Sequence, residues 1–166
     1  MTLLDRAIKY ATDAHGNQKR KYTNDPYIEH PLAVMEIFRS VSHTEEMLAA
    51  AVLHDVVEDT DVTIEDISKE FGNTVAHLVN DLTDVSKPED GNRALRKSLD
   101  RDHSAKASAQ AQTIKLADLI HNGQDIEKHD PNFYKVYTEE KIKLLDVLTK
   151  GDINLRKRAQ QMIGGG

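Results

Sequence analysis

The sequence predicts an all-α protein, a single-domain compact helical bundle of roughly eight to ten helices. Apolar residues recur at helical spacing along most of the 166 residues, whereas the alternating pattern of β-strands is scarce. Helix-start signals, such as Thr63 with Asp66 three residues later, precede several of these apolar runs. No stretch rich in Gly, Ser or Pro divides the chain. Residues 1–163 are therefore expected to form one domain, followed by a glycine tail at 164–166.

Five helices are predicted in the first half from apolar spacing and from residues that break helices. The first ends at a His-Gly-Asn sequence, after which a polar segment carries an Asn-Asp-Pro turn signal. Pro31 fits the first turn of the second helix. The third runs on into a cluster of ionisable residues, and a Gly-Asn pair separates the last two. The predicted ranges are 4–15, 31–38, 44–59, 63–71 and 74–83.

The second half is predicted to contain a loop and four helical segments. Pro88 and Gly91 mark residues 86–92 as the best candidate for a mobile loop. The polar, alanine-rich stretch that follows is expected to be helical but interrupted, and a strongly apolar helix comes next. Asp130 and Pro131 begin a long helix, and a short one closes the chain. The predicted ranges are 94–111, 112–122, 131–148 and 154–163.

Composition excludes several classes of function. There is no cysteine, which excludes disulfides, thiolate metal sites and cysteine nucleophiles. The net charge of −6 opposes general affinity for nucleic acid. No uncharged apolar run approaches the roughly 20 residues needed to span a bilayer, and the first 20 residues mix charges throughout. A soluble cytoplasmic protein with no membrane or nucleic-acid partner is expected.

A run of ionisable residues directly follows the apolar stretch 47–53. His54, Asp55, Glu58 and Asp59 lie within residues 54–59. On a continuous helix, residues three and four apart share a face, so these side chains are expected to converge. Like charges this close repel, and burying them is costly unless they are paired. A bound cation would remove both costs, so we predict a metal site here.

Two residues elsewhere can complete this site. His30 begins the second helix, and Asp118 interrupts an apolar helix with Asn122 one turn later on the same face. Each has an ordinary alternative, a cap or surface role for the histidine and a buried hydrogen bond for the aspartate. Together with His54 and Asp55 they would supply two imidazoles and two carboxylates, which suits Mn, Fe, Zn or Ni better than Ca or Mg. Four protein ligands would leave room for water and a substrate oxygen, as in a catalytic site.

Three segments carry a resemblance to a known family. Residues 14–32, the run His-Asp-Val-Val-Glu-Asp-Thr at 54–60, and residues 114–122 match the H…HD…D pattern of HD-domain metal phosphohydrolases. More closely, residues 4–126 resemble the hydrolase domain of the RelA/SpoT group and the stand-alone small alarmone hydrolases. The resemblance implies the HD-domain fold. It also implies hydrolysis of guanosine 3′,5′-bis(diphosphate), ppGpp or pppGpp, to GDP or GTP and pyrophosphate.

The resemblance assigns roles to the matching residues. A divalent metal, usually Mn²⁺ with Fe, Zn, Ni or Co as alternatives, would be held by His30, His54, Asp55 and Asp118. Glu58 and Asp59 would orient and activate the attacking water, and Asn122 would support the substrate or that water. The implied phosphate contacts are Arg20 and Lys21, with Arg96 and Lys97 as further candidates.

Two further histidines and two tyrosines have no role that the resemblance assigns. His15 is expected to help finish the first helix, and His121, beside Asn122, could lie behind the site. Tyr134 and Tyr137 could stack on a base, although core packing of their helix is the favoured role.

The substrate stays open, because Leu119 and Gln124 stand where arginines are usual in the family. The chief rival is another HD-type nucleotide phosphohydrolase, such as a 5′-nucleotidase or an NADPH-type dinucleotide phosphatase. A non-catalytic nucleotide-sensing module is a third interpretation, but it predicts a damaged metal set, whereas every ligand and both acids are present. The chain stops short of a second catalytic domain, so no alarmone synthetase activity is expected. A homo-oligomer remains possible.

Overall fold

The computed structural model describes residues 1–164. These residues form ten α-helices and one 3-10 helix, with a single isolated β-bridge between Lys19 and Pro26. The predictions of an all-α class and of eight to ten helices are confirmed. Of the predicted glycine tail, residues 165 and 166 lie outside the described residues. The helices are α1 (Leu3–His15), α2 (Glu29–Phe38), α3 (Glu45–Leu53), α4 (Val56–Asp59), α5 (Ile64–Phe71), α6 (Asn73–Leu82), α7 (Arg93–Lys106), α8 (Ala109–His129), α9 (Pro131–Val147) and α10 (Ile153–Ile163), and the 3-10 helix is Pro88–Asp90.

The chain divides into two compact units, one of residues Met1–Thr83 and one from Asp84 onward. The first unit holds α1 to α6, and the second holds the 3-10 helix and α7 to α10. The prediction of a single domain over residues 1–163 stays a prediction. No helix in the described part of the chain combines the length and apolar character needed to cross a membrane.

In the first unit, α3 is the central helix. Every residue from Met47 to Leu53 is buried, so the helix is covered on all sides. It packs against α1, α2 and α6. Full burial of a Val, Leu or Met side chain contributes about 1.5–3 kcal/mol. Burial on all sides fixes the carboxyl end of α3, where the predicted metal ligands begin.

The prediction of one continuous helix from 44 to 59 is wrong, because the helix breaks at His54 and Asp55. In a continuing helix the carbonyl of Ala51 would accept the backbone N–H of Asp55. Here it accepts instead from His54, through the backbone N–H at 3.4 Å and through Nδ1 at 2.5 Å. The next helix starts at Val56. The histidine side chain thus competes for the helix hydrogen bond and creates the turn.

A capping box and a glycine shape the other end of this unit, as predicted. The Thr63 hydroxyl accepts from the Asp66 backbone N–H at 3.1 Å, and the Asp66 carboxylate accepts from the Thr63 N–H at 3.0 Å. Gly72 joins α5 to α6 with φ of +91°, a conformation that favours glycine. The two helices therefore pack as neighbours.

In the second unit, α8 is the longest helix and packs against α9 and α10. It runs from Ala109 to His129, beyond the predicted 112–122. The predicted interruption is present, because α7 ends at Lys106 and the Ser108 hydroxyl caps the next helix by accepting from the Ala111 N–H at 3.1 Å.

Two buried polar side chains tie the elements of the second unit together. Gln112 is fully buried; its amide donates to the Ser104 carbonyl at 3.0 Å and accepts from the Lys150 N–H at 2.8 Å. The hydroxyl of Tyr137 donates to the Leu119 carbonyl at 2.7 Å. Tyr137 is buried, so the favoured packing role for this residue is confirmed.

Candidate functional site

The first unit brings three of the predicted metal ligands together. His30 is the second residue of α2, and His54 and Asp55 form the turn after α3. Each offers a ligand atom, and these atoms lie within 4.8 Å of one another. The Nε2 atoms of His30 and His54 are 3.6 and 3.1 Å from the same Oδ2 of Asp55. Both imidazoles are buried, and 15% of the aspartate side chain is exposed.

The hydrogen bonding of His54 suits a metal ligand. Because its Nδ1 faces the Ala51 carbonyl at 2.5 Å, that nitrogen carries the proton. The Nε2 lone pair, on the side of Asp55, is then left for a cation. Backbone carbonyls orient ligating histidines in this way in metal proteins. Two buried imidazoles around one carboxylate oxygen therefore fit a divalent transition metal.

Tyr27 supports the cluster from a second direction. Its hydroxyl donates to Oδ2 of Asp55 at 2.7 Å. Its ring also packs edge-on against His30, with 5.9 Å between the ring centroids. One tyrosine thus holds the carboxylate and limits the movement of an imidazole. We expect both to keep their positions when a cation binds.

The two predicted water-activating acids end α4 and lie at the surface. The amide of Gln18 donates to Oδ2 of Asp59 at 3.3 Å. Partial burial, and then the charge of Asp55, raises the pKa of Asp59, while the Gln18 hydrogen bond and nearby histidines oppose the shift. A carboxylate with a raised pKa is a better proton acceptor than an ordinary one. Glu58 also interacts with other groups of the protein.

A short loop carries the predicted phosphate contacts of this unit. The Tyr27 N–H donates to the Gln18 carbonyl at 2.9 Å, and the Arg20 N–H donates to the Asp25 carbonyl at 2.8 Å. These bonds close the loop and place the Arg20 guanidinium 5.8 Å from the Tyr27 ring centroid. Lys21 is exposed. Arg20 thus lies beside the residue that holds Asp55.

Three residues of this unit were missed as site residues: His15, Gln18 and Tyr27. His15 does end α1 as expected, but it is also buried and hydrogen-bonded to Gln18. All three lie in the segment 14–32 that carries the resemblance. The available signal was that Gln18 and Tyr27, a polar and an aromatic residue in this segment, had no assigned role.

In the second unit, Asp118 and Asn122 share a face of α8 as predicted. The Asn122 amide donates to Oδ1 of Asp118 at 3.3 Å, and both residues are half-buried. Burial, and then the charge of Asp118, raises the pKa of Tyr137 well above its ordinary value. Leu119, at the position where the family usually has arginine, is 2% exposed. It belongs to the core and cannot contact a ligand at the surface.

Lys97 lines a small cavity of about 50 Å³ in the second unit. Burial, followed by the charges of Lys115 and Lys97, lowers the pKa of Lys141 to about 8. Arg96, the other predicted contact in α7, has its Nε buried without a hydrogen-bond partner in the described part of the chain. The cavity is lined by Asp84, Lys97, Asp100, Arg101, Ser104, Lys115, Glu140, Lys141 and Leu144.

Two of the acids in this cavity are already engaged. Glu140 accepts from Nε and Nη2 of Arg93 at 2.7 and 3.0 Å, and this contact lowers the pKa of Glu140. The carboxylate of Asp100 accepts from the backbone N–H groups of Val85 and Ser86 and from the Ser86 hydroxyl. Four cationic side chains therefore line the cavity beside three acids, and two of these acids already accept the hydrogen bonds described above. This arrangement favours an anion.

Comparison with known proteins gives consistent results. A family model described as an HD domain matches residues 7–144. A guanosine-3′,5′-bis(diphosphate) 3′-pyrophosphohydrolase of Drosophila melanogaster is 39% identical over 127 residues, which cover 75% of this chain and 69% of that protein. A probable enzyme of the same name from Synechocystis sp. is 38% identical over 132 residues. That match covers 78% of this chain but 17% of the relative, so the chain spans about a sixth of that relative's length.

A solved structure is also similar over nearly the whole chain. It belongs to a metazoan ortholog of SpoT that hydrolyses ppGpp. The TM-score is 0.87 at 32% identity, and the match covers 99% of this chain and 96% of the other. A structure from Listeria monocytogenes, at 23% identity and a TM-score of 0.69, supports the fold alone.

Proposed function

The chain belongs to the HD-domain family, and from this membership we propose that it is a metal-dependent hydrolase of guanosine 3′,5′-bis(diphosphate). The reaction adds water across the bond between the 3′ oxygen and its phosphorus. The products are pyrophosphate and GDP, or GTP when the substrate is pppGpp. The cluster of His30, His54 and Asp55 is the observation that carries this proposal. A second support is that the chain covers more than two thirds of a relative named for the same activity.

The proposed metal ligands are His30, His54, Asp55 and Asp118. Mn²⁺ is the proposed ion, with Fe, Zn, Ni or Co as alternatives that the same donors accept. When bound, the cation supplies the positive charge that lowers the pKa of a nearby water and offsets charge on the phosphates. The support from the chain is the contact of His54 Nδ1 with the Ala51 carbonyl, which directs Nε2 toward Asp55, and the Tyr27 hydrogen bond that holds Asp55.

Asp59 is proposed to accept the proton of the attacking water. Its raised pKa supports this role, because a proton acceptor works best when its pKa approaches the working pH. Glu58 is proposed to orient the water. Asn122 is proposed to hold Asp118 in position, as its hydrogen bond at 3.3 Å suggests, and to support the substrate.

Arg20, Lys21 and Lys97 are proposed to contact substrate phosphates. Arg20 is supported by its position beside Tyr27, and Lys97 by the cation-lined cavity. These cations would offset the repulsion between a highly charged nucleotide and a chain of net charge −6. Cytoplasmic location, the absence of nucleic-acid and membrane partners, and any homo-oligomer stay predictions.

A hydrolysis assay on a nucleotide panel tests the proposal. The panel contains ppGpp, pppGpp, GTP, deoxynucleoside triphosphates, nucleoside monophosphates and NADPH, each with and without Mn²⁺. Pyrophosphate and GDP from ppGpp, only when metal is present, is the expected result. Orthophosphate from another nucleotide, with ppGpp left intact, would show instead that this chain is an HD-type phosphohydrolase with a different substrate. Burial of Leu119, where the family usually has arginine, is the observation that favours this rival.

The fourth ligand has its own test. Asp118→Asn should reduce bound Mn²⁺ and abolish turnover while the helical circular dichroism spectrum is kept. Asn122→Ala is the matched variant, because it removes the hydrogen-bond partner of Asp118 but no ligand. A fully active Asp118→Asn protein without metal would rule out this ligand set.

A further inference from the structure

A chain of two hydrogen bonds links the end of α1 to the end of α4. Nδ1 of His15 lies 3.1 Å from Oε1 of Gln18, and Nε2 of Gln18 lies 3.3 Å from Oδ2 of Asp59. His15 is 5% exposed, and Gln18 is half-buried. The imidazole is thus a buried polar group whose interactions lead toward the proposed proton acceptor.

The direction of these bonds follows from Asp59. An ionised carboxylate can only accept hydrogen bonds, so Gln18 must present its NH₂ group to Asp59 and its carbonyl oxygen to His15. The Nδ1 atom of His15 must then carry a proton and donate it. The glutamine cannot rotate its amide without losing both bonds, and this locks the side chain in one orientation.

The second ring nitrogen of His15 lies in an environment that does not favour a histidine. Its Nε2 is buried without a hydrogen-bond partner among residues 1–164. A buried polar atom without a partner costs stability, which a purely structural residue would avoid. The imidazole ring also packs on Tyr27, with 4.7 Å between centroids. Phenylalanine would fill a similar volume against that ring without placing a polar atom in the interior.

We propose that His15 is a positioning residue for the hydrolysis, which fixes Gln18 so that the glutamine amide orients Asp59 toward the attacking water. This inference rests on the proposed function, because it takes Asp59 to be the proton acceptor. His15 touches neither substrate nor metal in this proposal; it acts only through Gln18. The cost of leaving Nε2 unpaired is then a stability cost retained for activity.

Two substitutions at position 15 separate the hydrogen bond from the packing. His15→Phe keeps a ring against Tyr27 but removes the Nδ1 donor. His15→Asn loses the ring but keeps a donor, since its Nδ2 stands where the imidazole Nδ1 stood. A positioning role predicts that the phenylalanine variant is stable but slow and the asparagine variant is less stable but active. A packing role predicts the reverse order of activity, with the asparagine variant slower than the phenylalanine variant.

The experiment measures kcat, KM, bound Mn²⁺ and thermal unfolding for both variants, for Gln18→Leu and for the double variant His15→Phe/Gln18→Leu. Loss of a group that orients a catalytic side chain typically lowers activity about 10–100-fold. We expect kcat of His15→Phe to fall by about that factor, with KM and metal content unchanged. The double variant should be no slower than Gln18→Leu alone, because both changes break the same chain of hydrogen bonds.

Three results would overturn the proposal. These are an unchanged kcat in His15→Phe, a slower His15→Asn than His15→Phe at equal folded fraction, and multiplicative losses in the double variant. Asp59→Asn, assayed in parallel, separates this failure from failure of the function itself. If Asp59→Asn is inactive while His15→Phe keeps full kcat, the hydrolase stands and the positioning role of His15 is wrong.

Discussion

The two compact units handle their charged side chains in opposite ways. In the first, the buried nitrogens of His30 and His54 face one carboxylate oxygen of Asp55, which a tyrosine holds in place. In the second, four cationic side chains line a cavity with three acids, two of which, Asp100 and Glu140, are already engaged by other donors. The first arrangement suits a cation and the second an anion.

The difference between the units comes from hydrogen-bond partners more than from composition. Both units contain acids beside basic residues, so a charge count along the sequence does not separate them. An acid that already accepts two or three hydrogen bonds, as Asp100 does, offers little further attraction to a cation. A carboxylate that faces two imidazole nitrogens at 3.6 and 3.1 Å lies among groups that can all act as metal ligands.

The largest expected effect tests the cation side of this comparison. Asp55→Asn removes the carboxylate that both imidazoles face. Bound Mn²⁺ should fall below detection in metal analysis, and kcat/KM should drop by on the order of a thousandfold or more because the metal chemistry is lost. Asp61→Asn makes the same charge change at an exposed position and should keep both metal and activity. Normal metal content in Asp55→Asn would break the comparison.

The second prediction distinguishes a ligand from a proton acceptor within the first unit. Asp59→Asn should keep the metal, because Asp59 is not among the proposed ligands. Its kcat should fall about 10²–10⁴-fold, the usual contribution of general base catalysis. Metal analysis and steady-state kinetics on one preparation measure both. Loss of metal together with activity would make Asp59 a ligand and enlarge the cation site.

The third prediction tests the anion side. Lys97→Ala should raise KM about tenfold with little change in kcat, because a phosphate contact made in both the ground and transition states contributes uniform binding. Lys106→Ala, at the exposed end of the same helix and outside the cavity, is the control. An unchanged KM in Lys97→Ala would move the phosphate contact away from this cavity.

The smallest expected effect concerns stability. The pKa of Lys141 is lowered to about 8 in the folded protein, whereas the unfolded chain has the ordinary value of 10.5. Between these values the unfolded state binds more protons, so stability should rise with pH from about 8 to 10.5. Lys141→Met removes this dependence. At pH 7 we expect the variant to be more stable by on the order of 2 kcal/mol, since each pKa unit corresponds to about 1.4 kcal/mol before solvent relaxation is considered.

Urea unfolding of both proteins at pH 7 and pH 10 measures this effect. The advantage of Lys141→Met should shrink at pH 10, because the wild-type lysine is then largely neutral in the folded state. Equal differences at the two pH values would contradict the lowered pKa of Lys141, which burial and then the charges of Lys115 and Lys97 cause.

The sequence by itself determined the helical class, most helix ends and the adjacent pair His54 and Asp55, two of the proposed metal ligands. These features depend on neighbouring residues. The Thr63 capping box joins residues only three positions apart, and the apolar run 47–53 is hydrophobic on every side of its helix. The His-Asp pair at 54–55 is adjacent in sequence, and the turn between α3 and α4 brings its two side chains together.

Only the tertiary structure decided which polar groups pair across the chain. Gln18 and Asp59 are 41 residues apart, and Arg93 and Glu140 are 47 apart. Periodicity carries no information about such pairs, because it describes which face a residue occupies and not what that face meets. The break at His54 is a local exception: its side chain takes a carbonyl that a continuing helix would use. The spacing of apolar and ionisable residues predicted one uninterrupted helix there, and that spacing carries no sign of this side-chain hydrogen bond.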